Sequence, residues 1–297
     1  DRTGEIVERR CRADARIHLR SGLGRLNAGQ ALGVGIDSGG SELIARVDAH
    51  TYIEPDYLRR AADRFAVADD DVALVGGQPL QVGETPFGEA VALVRRSRFG
   101  VGDSVYADKR ELAYVETVQG GVYRRDALTE VGGFATDMLV SEDEECAFRL
   151  TEAGYRVLLD TSIRFRYTTR SSWGAAFRQH MNYGRSRVRV VAAHPRSLRW
   201  RYLVPSGLVL TSTGLAIASP FSRSARRGFA ALAGLYGTAA AVSARTAARD
   251  APHLTGHVAA CFTAHHFGYG IGVFRGIASA LRSALGLGDE ARAVSRR

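Results

Sequence analysis

Residues 43–58 read LIARVDAHTYIEPDYL. An apolar run closes on a polar triplet, Asp48-Ala49-His50, and a charged segment with Pro55 near its start follows. The pattern predicts a buried strand over SELIARVDA (41–49) and then a helix over EPDYLRRAADRFAV (54–67), with Pro55 in its first turn. The same alternation extends in both directions. TGEIVERRCRADA (3–15) reads as a helix capped by Thr3, ARIHLR (15–20) as a short strand, LNAGQALGVGID (26–37) as a helix and VALVGGQPL (72–80) as a strand. Strands alternating with helices predict an α/β domain with a largely parallel sheet. In such a sheet ligands bind beyond the carboxyl ends of the strands, and Asp48 stands at one such end.

The 297 residues are 45% hydrophobic and 24% charged, enough for a sizeable core. Net charge is +9, and Lys109 is the only lysine, so the positive charge is carried by arginine. That excess points to an anionic partner, whether nucleotide, acidic membrane or nucleic acid. Nucleic acid requires a basic stripe interleaved with aromatics on the folded domain, whereas here the arginines flank apolar segments near the C-terminus, so no nucleic-acid partner is expected. Cys11, Cys146 and Cys261 form neither a CxxC pair nor a disulfide framework, which suits a reducing compartment. The chain opens on a charged stretch without an initiating methionine, and is expected to be a fragment or a processed product.

Composition changes near residue 200. Residues 202–222, 228–244 and 251–274 are runs of 21, 17 and 24 residues without Asp, Glu, Lys or Arg. About 20 apolar residues span a bilayer as a helix, so the first run is a transmembrane candidate and the second is marginal. The third carries His253, His257, His265 and His266, which are costly in lipid unless they face a cavity or partner helices. Arginines precede the first run, but Arg223, Arg226 and Arg227 follow it at once, against the positive-inside rule. Membrane association is expected, with spanning and interfacial arrangements both open. The expected division is an α/β domain over 1–200, a hydrophobic helical, membrane-associated region over 201–285 and a basic tail over 286–297.

Four stretches could carry chemistry. Asp48 and His50 could hold a divalent cation beside a diphosphate, or could be a polar strand end. In LVSEDEECAFRL (139–150), Glu142, Asp143, Glu144 and Glu145 stand at a predicted helix start. Acids there suit the helix dipole, or one of them could serve as a general base. In VQGGVYRRDAL (118–128), Gly120 and Gly121 allow close approach to a ligand or simply make a turn. The arginines of RQHMNYGRSRVRVV (178–191) could neutralise a leaving diphosphate or meet anionic lipid. GYGIG (268–272) lacks a preceding strand and reads as small-residue helix packing.

Taken in order, DRTGEIVER, GLGRLNAG, LIARVDAHTYIEPDYL, TVQGGVYRRDALTEVGGF, SEDEECAFRL and YGRSRVRVVAAHPRSLRWRYLVP resemble a family 2 glycosyltransferase of the bacterial exopolysaccharide, succinoglycan-biosynthesis type. The resemblance covers most of residues 1–205. It implies a GT-A α/β sandwich, a nucleotide-sugar donor (a UDP-sugar by expectation), a saccharide or lipid-linked acceptor, Mg²⁺ or Mn²⁺, and a place at the cytoplasmic face of the cell membrane. Asp48 and His50 match the family's DxD metal motif in an Asp-Ala-His form, and Asp143 matches the catalytic base. Gly120 and Gly121 match the donor and acceptor loop, and Arg25 and Asn27 a segment near the nucleotide. Glu142 and Arg185 are implied acceptor or diphosphate contacts. Gln179 and Arg185 fall where processive relatives carry Gln-x-x-Arg-Trp, but Asn182 stands four positions before Ser186, and Ser186 replaces the Trp. The family's first strands have no counterpart here, so the sandwich is expected to lack them and the donor site to be incomplete. The alternative reading is a catalytically inactive, membrane-anchored nucleotide-sugar-binding protein.

Overall fold

The computed structural model describes residues 2–49, 51–101, 111–138 and 140–286. Its helices are α1 (Thr3–Ala13), α2 (Ala28–Asp37), α3 (Tyr57–Val67), α4 (Pro86–Val94), α5 (Arg98–Val101), α6 (Arg125–Glu130), α7 (Glu142–Glu152), α8 (Trp173–Ala193), α9 (Leu203–Ala218), α10 (Arg223–Ala247) and α11 (Thr255–Ala284). Its strands are β1 (Leu43–Ala45), β2 (Thr51–Ile53), β3 (Val72–Val82), β4 (Leu112–Val115), β5 (Gln119–Arg124) and β6 (Arg156–Thr168).

The strands run in the order β1-β5-β3-β6-β2, with β4 also paired to β6. An α/β fold is present, but the largely parallel sheet expected from the alternation is not. Among the described strands only β3 and β6 pair in parallel, and the other four pairings are antiparallel. Alternation in sequence does not dictate direction, because β1, β2, β4 and β5 are short strands that pair with strands distant in the chain. The long strands β3 and β6 form the spine. Gly76 and Gly77 put a bulge in β3, where a Cβ would run into Val118 on one side and the Ile163 carbonyl on the other.

Both faces of the sheet are covered. Tyr57, Ala61 and Phe65 of α3 pack on Val75, Leu158, Ile163 and Phe165. On the opposite face Leu128, Cys146, Ala147 and Leu150 of α6 and α7 pack on Leu74, Tyr123 and Leu159, with Leu32 and Ile36 of α2 at the border. Local chemistry agrees with these helices. Asn27 caps α2 in a full capping box with Gln30, and Thr85 caps α4 ahead of Pro86. Two local expectations need correction. Thr3 is the first residue of α1 rather than its cap, which is Arg2 and makes no side-chain cap bond. Residues 15–20 form no strand, and Ile17 is exposed and pairs with none of the described strands.

The C-terminal third is helical and packs on α4 and α8 through Ala90, Val91, Val94, Ala176, Ala240, Ala244, Leu254, Val258 and Phe262. The GYGIG segment is the seam of this packing. On α11, a Cβ at Gly268 would stand 2.7 Å from the Phe177 carbonyl of α8, and one at Gly276 2.8 Å from the Arg185 carbonyl. A Cβ at Gly272 would overlap the Met181 carbonyl, and one at Gly184 of α8 the Tyr269 carbonyl. Backbone therefore meets backbone, which only glycine permits. Among the described residues no helix is long and apolar enough to cross a membrane.

Gly272→Ala is expected to destabilise the protein by about 1–3 kcal/mol, as overpacked substitutions do. Gly234→Ala, on α10 with nothing within 4 Å of the new methyl, is expected to be neutral or stabilising by up to about 1 kcal/mol. Denaturant titration of both variants checks the pair.

Candidate active site

Between β1 at one end of the strand order and β2 at the other lies a short connection that holds Arg46 and Asp48. The Arg46 backbone N–H still donates to the Gly121 carbonyl (3.1 Å), one residue beyond the β1–β5 ladder. Strand alternation carried two residues further puts Arg46 and Asp48 on one side. The Arg46 guanidinium, nearly buried, is the hub. Nη2 donates to Glu142 Oε1 at 2.7 Å, Nε donates to Asp48 Oδ1 at 3.0 Å, and Nη1 lies 3.9 Å from Asp143 Oδ2. Residues 95 apart in sequence thus share one cation.

Burial opposes the charge on Arg46, but Asp143, Glu142 and Asp48 together hold its pKa above the ordinary arginine value. Burial and the neighbouring Asp143 raise the Glu142 carboxyl against the pull of Arg46.

The SEDEE stretch opens α7, and its acids are dealt to different partners. Glu142 goes to Arg46. Asp143 remains partly exposed and lines the cavity. Glu144 takes the Arg187 guanidinium of α8 at 2.7 and 2.8 Å, and Arg187 in turn stands over the Tyr202 ring at 4.2 Å. Glu145 holds Arg149 at 2.7 Å and reaches His194 at 3.3 Å. Ser141, immediately before them, has φ +68°, and it is the only non-glycine in the left-handed region among the described residues. Such a backbone costs about 1–3 kcal/mol and persists where its surroundings over-determine it. Here the ion pairs of Glu142, Glu144 and Glu145 pin the turn that follows.

These groups line one end of a cavity of about 1240 Å³. Its floor includes Gln119 and Gly120 of β5, and its far side is made by residues of α5, α8, α9 and α11. Gly120 has φ +59°, and a Cβ there would lie 3.0 Å from the Phe165 ring, so both conformation and space require glycine. Its carbonyl accepts a hydrogen bond from Tyr57 Oη. Gly121, by contrast, does not line the cavity, since its missing side chain makes room for Leu74 in the core.

Of the residues singled out in sequence, Asp48, Glu142, Asp143 and Gly120 converge here. Arg25 is exposed in the loop before α2, and Arg185 lies on α8 outside the cavity lining. The Asn27 side chain is committed to capping, its Oδ1 accepting from Gln30 N and its Nδ2 donating to the Thr136 carbonyl at 2.6 Å. His50 lies outside the described residues. Among the described residues no group of three or more His, Cys, Asp or Glu could hold a metal ion.

Arg46 was not singled out in sequence, although its spacing two before Asp48 was the available signal. Also unforeseen is the inner arm of the cavity, where His180 stacks on His265 at 3.5 Å between ring centroids and His265 Nε2 lies 3.4 Å from Cys261 Sγ.

The chain belongs to glycosyl transferase family group 2, which it matches over residues 43–244, opening at the first residue of β1. It is 26% identical over 219 residues to the succinoglycan biosynthesis protein ExoA of Rhizobium meliloti (strain 1021), covering 73% of this chain and 66% of that protein. It is also 26% identical over 196 residues to the dolichyl N-acetyl-alpha-D-glucosaminyl phosphate 3-beta-D-2,3-diacetamido-2,3-dideoxy-beta-D-glucuronosyltransferase of Methanococcus voltae, covering 63% of this chain and 60% of that one. The chain thus spans a little under two thirds of the length of these curated relatives.

Burial, with the neighbouring charge of Arg95, pushes the His180 pKa down to about 3, and burial holds His265 well below the ordinary histidine value. Both histidines are neutral in the folded protein near neutral pH but titrate near pH 6.5 when unfolded. The unfolded state therefore binds more protons below that pH. Stability present above pH 6.5 is expected to fall as pH drops toward 3 through the window set by His180, with His265 acting in the same direction. Urea titrations at pH 7 and pH 5 check this, and His265→Gln is expected to flatten the dependence.

Proposed function

We propose that this protein is an inverting glycosyltransferase that moves a sugar from a nucleotide-sugar donor, a UDP-sugar by preference, to a saccharide or lipid-linked acceptor in exopolysaccharide or cell-envelope glycan synthesis. The observation that carries the reading is the meeting of Asp48 and Asp143 around Arg46 at the mouth of one large cavity. In the reaction, Asp143 takes the proton from an acceptor hydroxyl. The acceptor oxygen attacks the anomeric carbon as the nucleoside diphosphate leaves from the opposite face, so the configuration inverts. Arg46 keeps Glu142 and Asp48 in register with this base, and Ser141 sets the turn from which Asp143 projects.

Mg²⁺ or Mn²⁺ fits the Asp48 end. Only Oδ1 of Asp48 is engaged by Arg46, and the carboxylate is partly open to the cavity. Mg²⁺ is commonly held by one or two carboxylates together with substrate phosphates, so a cluster of three protein ligands is not required. Asp48 would hold the ion, with His50 as its sequence-proposed companion, and the ion would supply charge neutralisation to the diphosphate.

The chain is also proposed to lie on the cytoplasmic face of the cell membrane. Leu203, Val204, Leu210, Ile217 and Phe221 on α9 and the turn after it are exposed, as are Leu235 and Val242 on α10. Arg223, Arg226 and Arg227 follow Phe221 at once. At 16 residues α9 is about 24 Å long, short of the ~30 Å hydrocarbon core, which favours an interfacial position.

Asp143→Asn is expected to lower transfer by at least about 10²-fold, the scale of a lost general base, while leaving UDP binding unchanged. Asp48→Ala is expected to abolish the Mg²⁺-dependent part of UDP binding, read by calorimetry with and without chelator. Near-normal transfer by Asp143→Asn would remove the base assignment, and binding without turnover in the unmodified protein would favour a binding protein. For the membrane position, the protein is expected to float with anionic vesicles and Phe221→Asp to reduce that fraction. Equal flotation of the two proteins would count against this contact.

A further inference from the structure

The cavity is electrostatically divided. Among the described residues the carboxylates that line it are Asp48, Glu142, Asp143 and Glu144, from the connection after β1 and the start of α7, and Arg46 and Arg187 attend them. Elsewhere its lining includes Arg95 at the end of α4, Arg170 just past β6 and Arg178 on α8. These three come from separate elements, and none forms an ion pair among the described residues. Arg95 stands over the Tyr167 ring at 5.5 Å, and Tyr183 lies between the two ends, within reach of the charges of Arg95 and Arg170 and of Asp143. His180 and His265 stand beside this arm as neutral rings. His265 Nδ1 is buried without a hydrogen-bond partner among the described residues. Three guanidinium groups that line one cavity and form no ion pair among the described residues, Arg95 half-buried and Arg170 and Arg178 exposed, can receive an anion, and their planar fork matches phosphate.

Size and surroundings agree. Pockets for one small ligand run to about 300–1,000 Å³, and this cavity, at about 1240 Å³, has room for a second. Val204, Pro205 and Leu208 of α9 complete the lining, and the outer face of the same helix carries the exposed Leu203, Leu210 and Ile217. An apolar wall therefore leads from the cavity toward the surface.

We propose that Arg95, Arg170 and Arg178 form a second anion site that holds the phosphate or diphosphate of a phosphorylated saccharide acceptor, apart from the donor diphosphate at the Asp48 end. The inference rests on the glycosyltransferase reading for the word acceptor, and its test separates the two.

The test is calorimetric titration of the whole protein in detergent, saturated with UDP and Mg²⁺, with inorganic pyrophosphate and with farnesyl diphosphate. Both ligands are expected to bind alongside UDP. The Arg95→Gln/Arg170→Gln double variant is expected to weaken them by at least about tenfold, the scale of one lost charge-assisted contact, and to leave UDP affinity within about twofold. Should Arg95→Gln compromise folding, Arg170→Gln/Arg178→Gln, at two exposed positions, gives the same readout. Tighter binding of farnesyl diphosphate than of pyrophosphate assigns the site to a lipid-linked acceptor, and equal binding assigns it to a soluble phosphorylated saccharide. Displacement of either diphosphate by UDP, or unchanged binding in both double variants, overturns the proposal. Arginine-dependent diphosphate binding in a protein that does not bind UDP would uphold the anion site and remove the glycosyltransferase reading.

Discussion

The guanidinium of Arg46 is a single, nearly buried cation shared by carboxylates from two distant parts of the chain. Removing one partner of such a buried pair typically costs about 3–5 kcal/mol, because a charge is then left without compensation. Arg46 therefore ties the connection after β1 to the start of α7. That tie holds Asp48 and Asp143 at one end of one cavity. The backbone strain at Ser141 belongs to the same arrangement, since the turn it makes lets consecutive acids point in different directions.

The second constraint is close helix packing. The α8–α11 seam is built on glycines, so Tyr183, His180, His265 and Tyr269 come close enough to wall the inner arm of the cavity. Bulkier residues at Gly184 or Gly272 would push these helices apart and open that wall. The acidic end and the inner arm thus depend on different physics, an ion-pair network in one case and backbone approach in the other. Both converge on α8, which carries Arg187 toward Glu144 on one side and Gly184 toward α11 on another.

Much of the local structure was legible from residues alone. LNAGQALGVGID announced α2, VALVGGQPL announced β3, and EPDYLRRAADRFAV announced α3, although Pro55 lies before that helix and not in its first turn. Strand direction was not legible, because β1, β2, β4 and β5 pair with partners far away in sequence and no local pattern encodes which way a partner runs. ARIHLR alternates like a strand but has no neighbour to bond with, and a strand without a partner is not a strand. The runs after residue 200 were apolar enough to suggest spans. The helices they form are too short, or too interrupted by arginine and histidine, to cross a bilayer among the described residues, and several of their apolar side chains cover α4 and α8 instead.

By itself the sequence determined which groups could do chemistry. Asp48 in its DAH triplet, the acids after Ser141 and the QGG turn were all visible, because residue type and spacing are local properties. It also determined that GYGIG would serve helix packing. Only the tertiary structure decided the rest. Of the four consecutive acids after Ser141, Asp143 alone is left without a tight ion-pair partner and partly open to the cavity, since Glu142, Glu144 and Glu145 are consumed by Arg46, Arg187 and Arg149. Gly120 lines the cavity while Gly121 serves the core. Arg187 rather than Arg185 reaches the site, because two residues along a helix turn a side chain to nearly the opposite face. Charges act through space, and the distances that decide which pairs form exist only after the chain has folded.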